Sequence, residues 1–241
     1  MRIVVITDAH ANLPALDAVL QAIRAEGYDL LVHTGDAIGI GPYPAECLEL
    51  LLSTPKTRFV MGNHDSYFAD GIPQPVLASM SAGEIEHHRW AHSQLDAQLR
   101  SVVAKWPYVI EEEYAGTTST FVHYALDNSG RDYMPSVRRP AVADLDRAFV
   151  RHKPGLIFYG HDHCASDLVG QARYVNPGPL GCLKTPTARY CVVTVRRNEL
   201  NVGYREIAYE DIVLFEEFEK RQVPDRGFIY KAFFGGRFPH R

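Results

Sequence analysis

The fold of this chain is indicated first by residues 155–165, which read GLIFYGHDHCA. A short apolar run ends at a glycine, and His161 and His163 come next with one aspartate between them. This order is typical of a buried strand that leads into a loop carrying ligand-type side chains. A function can be predicted for the two histidines only from the residues at the ends of the other predicted strands.

Short apolar runs alternate with helical periodicity over the first sixty residues. The pattern predicts strands at 3–7, 30–34 and 58–61, and helices at 13–27 and 44–53. Strands and helices that alternate in this way predict an α/β fold with a largely parallel sheet and right-handed crossovers.

The pattern changes after the third strand. Residues 66–78, rich in proline and glycine, predict a loop, and residues 81–106 predict one long amphipathic helix. Antiparallel strands are expected toward the end, followed by a helix over 209–222 and an aromatic tail at 228–238 that packs back onto the protein. No repeat or low-complexity linker divides the chain, so we expect a single domain over residues 1–241.

Composition disfavours several classes of protein. The net charge is −4 and no dense Lys/Arg block is present, which argues against a nucleic-acid partner. No apolar run is long enough to cross a bilayer, and the first one ends at Asp8, which is unlike a signal peptide. The four cysteines show no paired spacing, so we expect free thiols and a cytoplasmic location. They are Cys47, Cys164, Cys182 and Cys191.

Five predicted strands each end in Asp, Asn or His. The five endings are Asp8-Ala9-His10, Gly35-Asp36, Gly62-Asn63-His64-Asp65, His123 and Gly160-His161-Asp162-His163. In an open α/β sheet the carboxyl ends of the strands form the edge where ligands bind. One such ending carries little information, but five with ligand-type side chains indicate a site.

The chemistry of these side chains points to metal ions. Carboxylate, amide oxygen and imidazole together suit Mn²⁺, Fe²⁺, Ni²⁺ or Zn²⁺, and the absence of thiolate in the set disfavours a structural zinc site. Seven donors are too many for one ion and fit two ions that share a carboxylate, an arrangement used for in-line displacement at phosphorus. The donors are Asp8, His10, Asp36, Asn63, His123, His161 and His163.

In this order, the motifs D-x-H, G-D, G-N-H-D, H and G-H-x-H resemble those of the calcineurin-like metallophosphoesterases. The later Asn176-Pro177-Gly178 resembles a loop of the small bacterial and archaeal phosphodiesterase-like branch, so the resemblance covers most of the chain. It implies a four-layer α/β/β/α sandwich with a dimetal site at the carboxyl ends of the strands.

The resemblance also implies a role for each motif residue. One ion, with Mn²⁺ the first expectation, would be held by Asp8, His10 and His163, the other by Asn63, His123 and His161, with Asp36 bridging both. Hydroxide shared by the two ions would attack a small phosphoester in line. His64, held in place by Asp65, would contact the phosphoryl oxygen or the leaving group.

Departures from the family pattern narrow the range of expected substrates. Ile40 stands where phosphoprotein phosphatases have a phosphate-binding arginine, and Asp65 where they have glutamate. These differences favour a phosphodiester. The alternatives are a phosphomonoesterase, a nuclease, and a binding scaffold of another class that keeps the fold without catalysis. Tyr124 occupies a position often held by glycine, which predicts narrowed access to the second ion.

Two further predictions concern histidines. In extended backbone, His161 and His163 would point to the same side, and we expect them to bind different ions, with Gly160 allowing a close approach of the chain. His88 and His92 lie one helical turn apart but lack the glutamate of a zinc-binding HExxH motif. We interpret them as packed positions on a helix.

Overall fold

The computed structural model describes residues 1–197 and 199–238, which form ten strands and nine helices. The strands are β1 (Arg2–Ile6), β2 (Leu30–His33), β3 (Thr57–Phe59), β4 (Val109–Tyr114), β5 (Thr117–Val122), β6 (Leu156–Phe158), β7 (Ser166–Val169), β8 (Arg173–Asn176), β9 (Thr187–Arg196) and β10 (Glu199–Ala208). The helices are α1 (Leu13–Glu26), α2 (Pro44–Ser53), α3 (Asn63–Ala69), α4 (Gln74–Ser79), α5 (Ala82–Ser93), α6 (Ala97–Val103), α7 (Val142–Ala148), α8 (Ile212–Lys220) and α9 (Arg226–Phe233).

Both sheets have five strands and mixed direction. The first has the order β10-β9-β1-β2-β3 and the second β4-β5-β6-β8-β7. Three adjacent strands are parallel in each sheet, β1-β2-β3 in the first and β5-β6-β8 in the second, and the flanking strands are antiparallel. The expected parallel arrangement is therefore confined to three strands of each sheet. Of these six strands, all but β8 lead into the ligand-type residues.

Three hydrophobic cores separate four layers. Val5 and Phe158 belong to the core between the two sheets. Leu16 of α1 and Leu48 of α2 pack in the core on the outer face of the first sheet, and Leu145 of α7 packs on the outer face of the second. This is the α/β/β/α sandwich that the sequence resemblance implies, and the resemblance is confirmed at the level of the fold.

The helical prediction over 81–106 is wrong in one respect, because the segment forms two helices. Helix α5 ends at Ser93 and α6 begins at Ala97. The break is stabilised by Asp96, whose carboxylate accepts a hydrogen bond from Gln98 N at 2.8 Å as an N-cap. Leu95 is buried between the two helices and joins the core.

The segment predicted as a loop at 66–78 is also partly helical. It contains the second half of α3 and all of α4 except its last residue, and the first turn of α4 includes Pro75. A proline in the first turn of a helix removes no intrahelical hydrogen bond, so its presence does not exclude a helix.

The end of the described chain folds back as expected. The helix predicted at 209–222 is α8, and the aromatic tail forms a further helix, α9. Tyr230 and Phe234 are buried in the core beside Phe215. Among the described residues no helix is both long and apolar enough to traverse a membrane.

Candidate metal centre

The predicted site residues meet at one edge of the sandwich, where β1, β2, β3, β5 and β6 end. Short backbone hydrogen bonds connect the loops at the ends of these strands. Asp8 N donates to Gly35 O at 3.0 Å, and Gly160 N donates to His123 O at 2.8 Å. The loops of both sheets are thereby held in fixed positions, and side chains from five strand ends point into one small volume.

Three donors converge in a first group. The Nε2 atoms of His10 and His163 lie 2.9 Å apart, and Asp8 Oδ1 lies 3.7 Å from the former and 3.5 Å from the latter. Asp8 and His10 are fully buried. Two imidazole nitrogens and a carboxylate oxygen so arranged face a common point.

A second group of donors lies beside the first. Asn63 Oδ1 is 2.9 Å from His161 Nδ1 and 3.1 Å from His123 Nε2. The asparagine is the first residue of α3, and the histidines come from the second sheet. Each group therefore takes its donors from both sheets of the sandwich.

Asp36 stands between the two groups. Its Oδ2 lies 3.3 Å from His123 Nε2 and 3.7 Å from His10 Nε2. Its other oxygen, Oδ1, accepts a hydrogen bond from the backbone N–H of His64 at 2.9 Å. The carboxylate is thus fixed by one oxygen and presents the other to both groups, as a bridging ligand requires.

The arrangement fits two metal ions. Ligands about 2.1 Å from one ion stand roughly 3.0–3.5 Å from one another, and the separations within the two groups are close to this range. Three sets of donor atoms, each within 4.8 Å of one another, share members along this edge. The assignment of particular donors to two ions stays a prediction.

Hydrogen bonds outside the donor groups orient the imidazoles. His123 Nδ1 donates to Thr34 O at 2.9 Å, which leaves Nε2 free to act as a ligand. His10 Nδ1 lies 3.4 Å from Ile38 O and is oriented in the same way. Asp8 Oδ2 accepts from Thr7 Oγ1 at 2.9 Å, so the carboxylate at the end of β1 is fixed as well.

The electrostatics favour the metal-binding protonation state at Asp36, His10 and His161, but not at His123. Burial alone would raise the pKa of Asp36, but the neighbouring His123 imidazole outweighs it and holds the pKa well below 3.8. Burial lowers the pKa of His10 and of His161 to about 4. Burial opposes protonation of His123 also, yet the Asp36 carboxylate raises its pKa to about 9. Ionised carboxylates and neutral imidazoles are the forms that bind metal.

The backbone at the site is unusual. Five of the seven predicted donors have positive φ, between 45° and 71°, a region that most residues other than glycine avoid. They are Asp8, His10, Asp36, His161 and His163. Backbone of this kind is found where surrounding structure enforces a functional geometry.

The GHDH stretch is therefore not extended, which contradicts the expectation drawn from alternation along a strand. His161 has φ 71° and His163 φ 56°, so the chain turns tightly through the site. The two rings still diverge, His161 toward Asn63 and His163 toward His10. Gly160 is required for the approach, because a Cβ there would lie 2.0 Å from Thr7 Oγ1.

The predicted contact between Asp65 and His64 is not formed. Both Asp65 oxygens accept backbone hydrogen bonds, from Gly62 and Asp36 at 3.1 and 2.8 Å and from Ala37 at 3.0 Å. His64 Nδ1 is buried without a hydrogen-bond partner among the described residues. Consecutive residues in the first turn of a helix point in different directions, so Asp65 shapes the loop at Asp36 rather than orienting His64.

The structure brings to the site one residue that the sequence motifs do not indicate. Cys182 Sγ lies 3.4 Å from His163 Nδ1 and 3.9 Å from its Nε2, and the thiol is buried. Its loop is fixed on the site by Gly181 N, which donates to Asp8 O at 2.9 Å. The four cysteines show no metal-binding spacing in the sequence. Only the closeness of Cys182 in sequence to the Asn176-Pro177-Gly178 motif could have indicated that this thiol lies at the site.

Aromatic rings surround the donors. The ring centroids of His88, on α5, and His64 lie 5.0 Å apart. His88, interpreted from the sequence as a packed position on a helix, is therefore directly beside the site. Tyr124 is 2% exposed and lies 5.1 Å from the His161 ring. Its side chain occupies space that a glycine would leave empty next to the second donor group.

Two cavities open beside the donors. The histidine pocket, of about 250 Å³, is lined by residues that include His64, His87, His88, Phe228, Ile229 and Phe233. The cationic pocket, of about 510 Å³, is lined by residues that include Arg138, Arg139, Lys184, Arg189, His163 and Phe233. Phe233 of α9 belongs to both walls, and the ring of His10 lies 5.1 Å from that of His64 and 4.9 Å from that of His163. The two pockets therefore meet at the donor groups.

Comparison with known proteins agrees with this geometry. The sequence model of the calcineurin-like phosphoesterase superfamily domain matches residues 1–198. An uncharacterized protein of Methanocaldococcus jannaschii is 25% identical over 92% of this chain and 94% of its own.

Solved structures with the same fold come from a bacterium and an archaeon. A metallophosphoesterase from Sphaerobacter thermophilus has a TM-score of 0.71 and 24% identity, over 93% of this chain and 96% of its own. A hypothetical protein from Pyrococcus horikoshii has a TM-score of 0.78 and 16% identity, over 98% and 99% of the two chains.

Proposed function

We propose, because this chain belongs to the calcineurin-like phosphoesterase superfamily, that it hydrolyses small phosphodiesters with the aid of two divalent transition-metal ions. The observation that carries the proposal is the position of Asp36 Oδ2, within 3.7 Å of a donor histidine in each of two groups. Mn²⁺ is the first ion to test, with Fe²⁺, Ni²⁺ and Zn²⁺ as alternatives. The four cysteines, all free, support a cytoplasmic site of action.

The chain supplies the ligands and the surroundings of the reaction. Two bound ions would supply hydroxide near neutral pH and offset negative charge on the phosphoryl oxygens. His64 Nε2 lies 4.0 Å from Asp36 Oδ2 and lines the histidine pocket. Burial lowers the pKa of His64 well below 6.5, which favours a neutral ring. In the tautomer protonated on Nε2, this ring would donate a hydrogen bond to a phosphoryl or leaving-group oxygen.

The two pockets support a diester over a monoester. A phosphodiester carries two substituents, and a cavity is available for each on either side of His10. A monoester would fill only one of them. Ile40, which lines the histidine pocket, adds apolar surface where phosphoprotein phosphatases place an arginine.

The test compares bis(p-nitrophenyl) phosphate with p-nitrophenyl phosphate in the presence of Mn²⁺, with Asp36→Ala as the control. We expect faster turnover of the diester and no activity above background in the variant. Equal activity in the two proteins would sink the proposal. Faster turnover of the monoester would favour a phosphomonoesterase, and cleavage of an oligonucleotide in place of either ester a nuclease. Two tightly bound ions with no turnover of any ester would favour the scaffold alternative.

A further inference from the structure

The cationic pocket has an unusual charge for this protein. Four cationic side chains, those of Arg138, Arg139, Lys184 and Arg189, line it together with one carboxylate, that of Asp162. The whole chain carries a net charge of −4. The pocket is therefore a local reversal of the overall charge, beside the predicted metal ligand His163.

These cations come from separate parts of the sequence. Arg138 and Arg139 belong to the loop between β5 and α7, Lys184 to the loop between β8 and β9, and Arg189 to β9 itself. Only the fold brings them together. Like charges placed together repel one another, so such a cluster is unfavourable unless anions offset it.

Within the described residues, one of the four cations is compensated by an ion pair and the other three are not. Arg189 forms an ion pair with Glu206 at 2.8 Å. For Arg138, Arg139 and Lys184 the described part of the chain provides no hydrogen bond or ion pair, and all three are exposed. Asp162 is occupied elsewhere through Oδ1, which accepts from Asn176 Nδ2 at 2.7 Å and from Cys164 N at 2.9 Å. Three cationic side chains are thus available to an external anion.

We propose that the cationic pocket binds a second phosphate group, so that the substrate is a small phosphodiester carrying an additional phosphate on one of its two arms. This inference rests on the proposed function, since it places the scissile phosphate at the donor groups. The other arm enters the histidine pocket, which is lined by Phe228, Ile229 and histidine rings together with the carboxylates of Glu84 and Asp225. This wall suits a ring system without negative charge. Guanidinium and ammonium groups around a phosphate form charge-assisted hydrogen bonds.

Two chromogenic probes differ only in the additional phosphate: the p-nitrophenyl ester of thymidine 5′-phosphate, and the same ester carrying a 3′-phosphate. With Mn²⁺ present, we expect the second to have a kcat/KM about tenfold higher, an advantage that declines as salt is added. In the double variant Arg138→Gln/Lys184→Gln the ratio of the two kcat/KM values should fall close to one.

A matched control removes two positive charges elsewhere. Lys105→Gln/Arg196→Gln alters exposed residues that do not line either pocket, and it should keep the full advantage of the additional phosphate. Equal kcat/KM for the two probes in the unmodified protein would overturn the inference while leaving the proposed function intact. An advantage that persists in Arg138→Gln/Lys184→Gln would overturn it as well.

Binding provides a readout that needs no turnover. Calorimetry with thymidine 3′,5′-bisphosphate and thymidine 5′-phosphate should show tighter binding of the bisphosphate, and loss of this difference in Arg138→Gln/Lys184→Gln. If neither probe is hydrolysed, the proposed function fails, and calorimetry still decides whether the pocket binds phosphate. Stronger binding of a twelve-residue oligothymidylate than of the bisphosphate would assign the cations to a nucleic-acid strand and overturn the small-molecule assignment.

Discussion

The donor groups and the walls of the two pockets are built in different ways. The donors stand at the ends of the central strands, are mostly buried and are fixed by backbone hydrogen bonds. The pocket walls come mainly from α5, α9, β9 and two loops, and three of the four cationic side chains are exposed. We therefore expect the central sheets to determine the chemistry of this protein and the segments around them to determine the choice of substrate.

The largest effects are expected at the donors. His161→Ala and His163→Ala should each lower kcat for bis(p-nitrophenyl) phosphate by about 10³-fold or more, since each removes a ligand of one of two cooperating ions. Elemental analysis should show about one ion lost per chain in each variant. His152→Ala, at a half-buried histidine outside the site, serves as the control. Loss of both ions from one variant and none from the other would refute the division of the donors.

A smaller effect is expected where the donors meet the histidine pocket. His64→Gln should lower kcat by about 10²-fold, because it removes a hydrogen-bond donor to the reacting phosphoryl group. Its metal content should equal that of the unmodified protein, because His64 is not one of the seven predicted donors, although one of its ring nitrogens lies within 4.8 Å of donor atoms of His10 and Asp36. A variant that loses metal would show instead that His64 is a ligand.

The affinity for metal should depend on pH. The pKa of His123 is raised to about 9 by Asp36, so at pH 7 this ring is protonated in the metal-free protein and must release its proton when an ion binds. The affinity for Mn²⁺ should therefore rise with pH, by up to about tenfold per unit below pH 9, and level off above it. Titrations of Mn²⁺ at several pH values measure this, and an affinity independent of pH would contradict it.

A substitution in the wall that the two pockets share should have a modest effect on substrate binding. Phe233→Ala should raise the KM for bis(p-nitrophenyl) phosphate about fivefold with little change in kcat, since it removes ring contacts from the walls but no donor. Val150→Ala, at a residue that is 66% exposed, should leave both constants unchanged. If Phe233→Ala lowered kcat as much as His64→Gln does, the proposed difference between residues of the pocket wall and residues that act on the phosphoryl group would be wrong.

The smallest effect on activity is expected at Cys182. Its sulfur lies 3.4 Å from His163 Nδ1 and within reach of an ion held there. Protein loaded with Co²⁺ should show a near-ultraviolet absorption band from sulfur-to-cobalt charge transfer, absent in Cys182→Ser and retained in Cys164→Ser. A spectrum identical in all three proteins would show that the thiol stays outside the coordination sphere.

The sequence was informative where a ligand-type residue stands directly at the end of a predicted strand. Asp8, His10 and Asp36 come directly after apolar strands, so their meeting at one edge could be predicted from the topology of parallel strands. The family and the four-layer fold were predictable from the same motifs. Helix boundaries were less predictable, because the break before α6 depends on a single cap, that of Asp96.

The pocket walls could not be predicted in this way. Arg138 and Lys184 are far apart in the sequence and carry no motif, and only the packing of two loops brings them together. The interaction of Asp65 with backbone N–H groups depends on the direction of side chains in the first turn of α3, which a motif does not specify. Cys182 was likewise hidden, because its relation to His163 arises through a loop contact.

The left-handed backbone at five of the predicted donors has an evolutionary consequence. A side chain in this region costs about 1 kcal/mol or more relative to glycine, so each donor is kept at the expense of conformational stability. Replacement of such a donor by glycine would remove a metal ligand and at the same time relieve the backbone strain at that residue. Lineages of this fold could therefore lose catalysis without losing the sandwich, and the site itself would be the first part of the molecule released from selection.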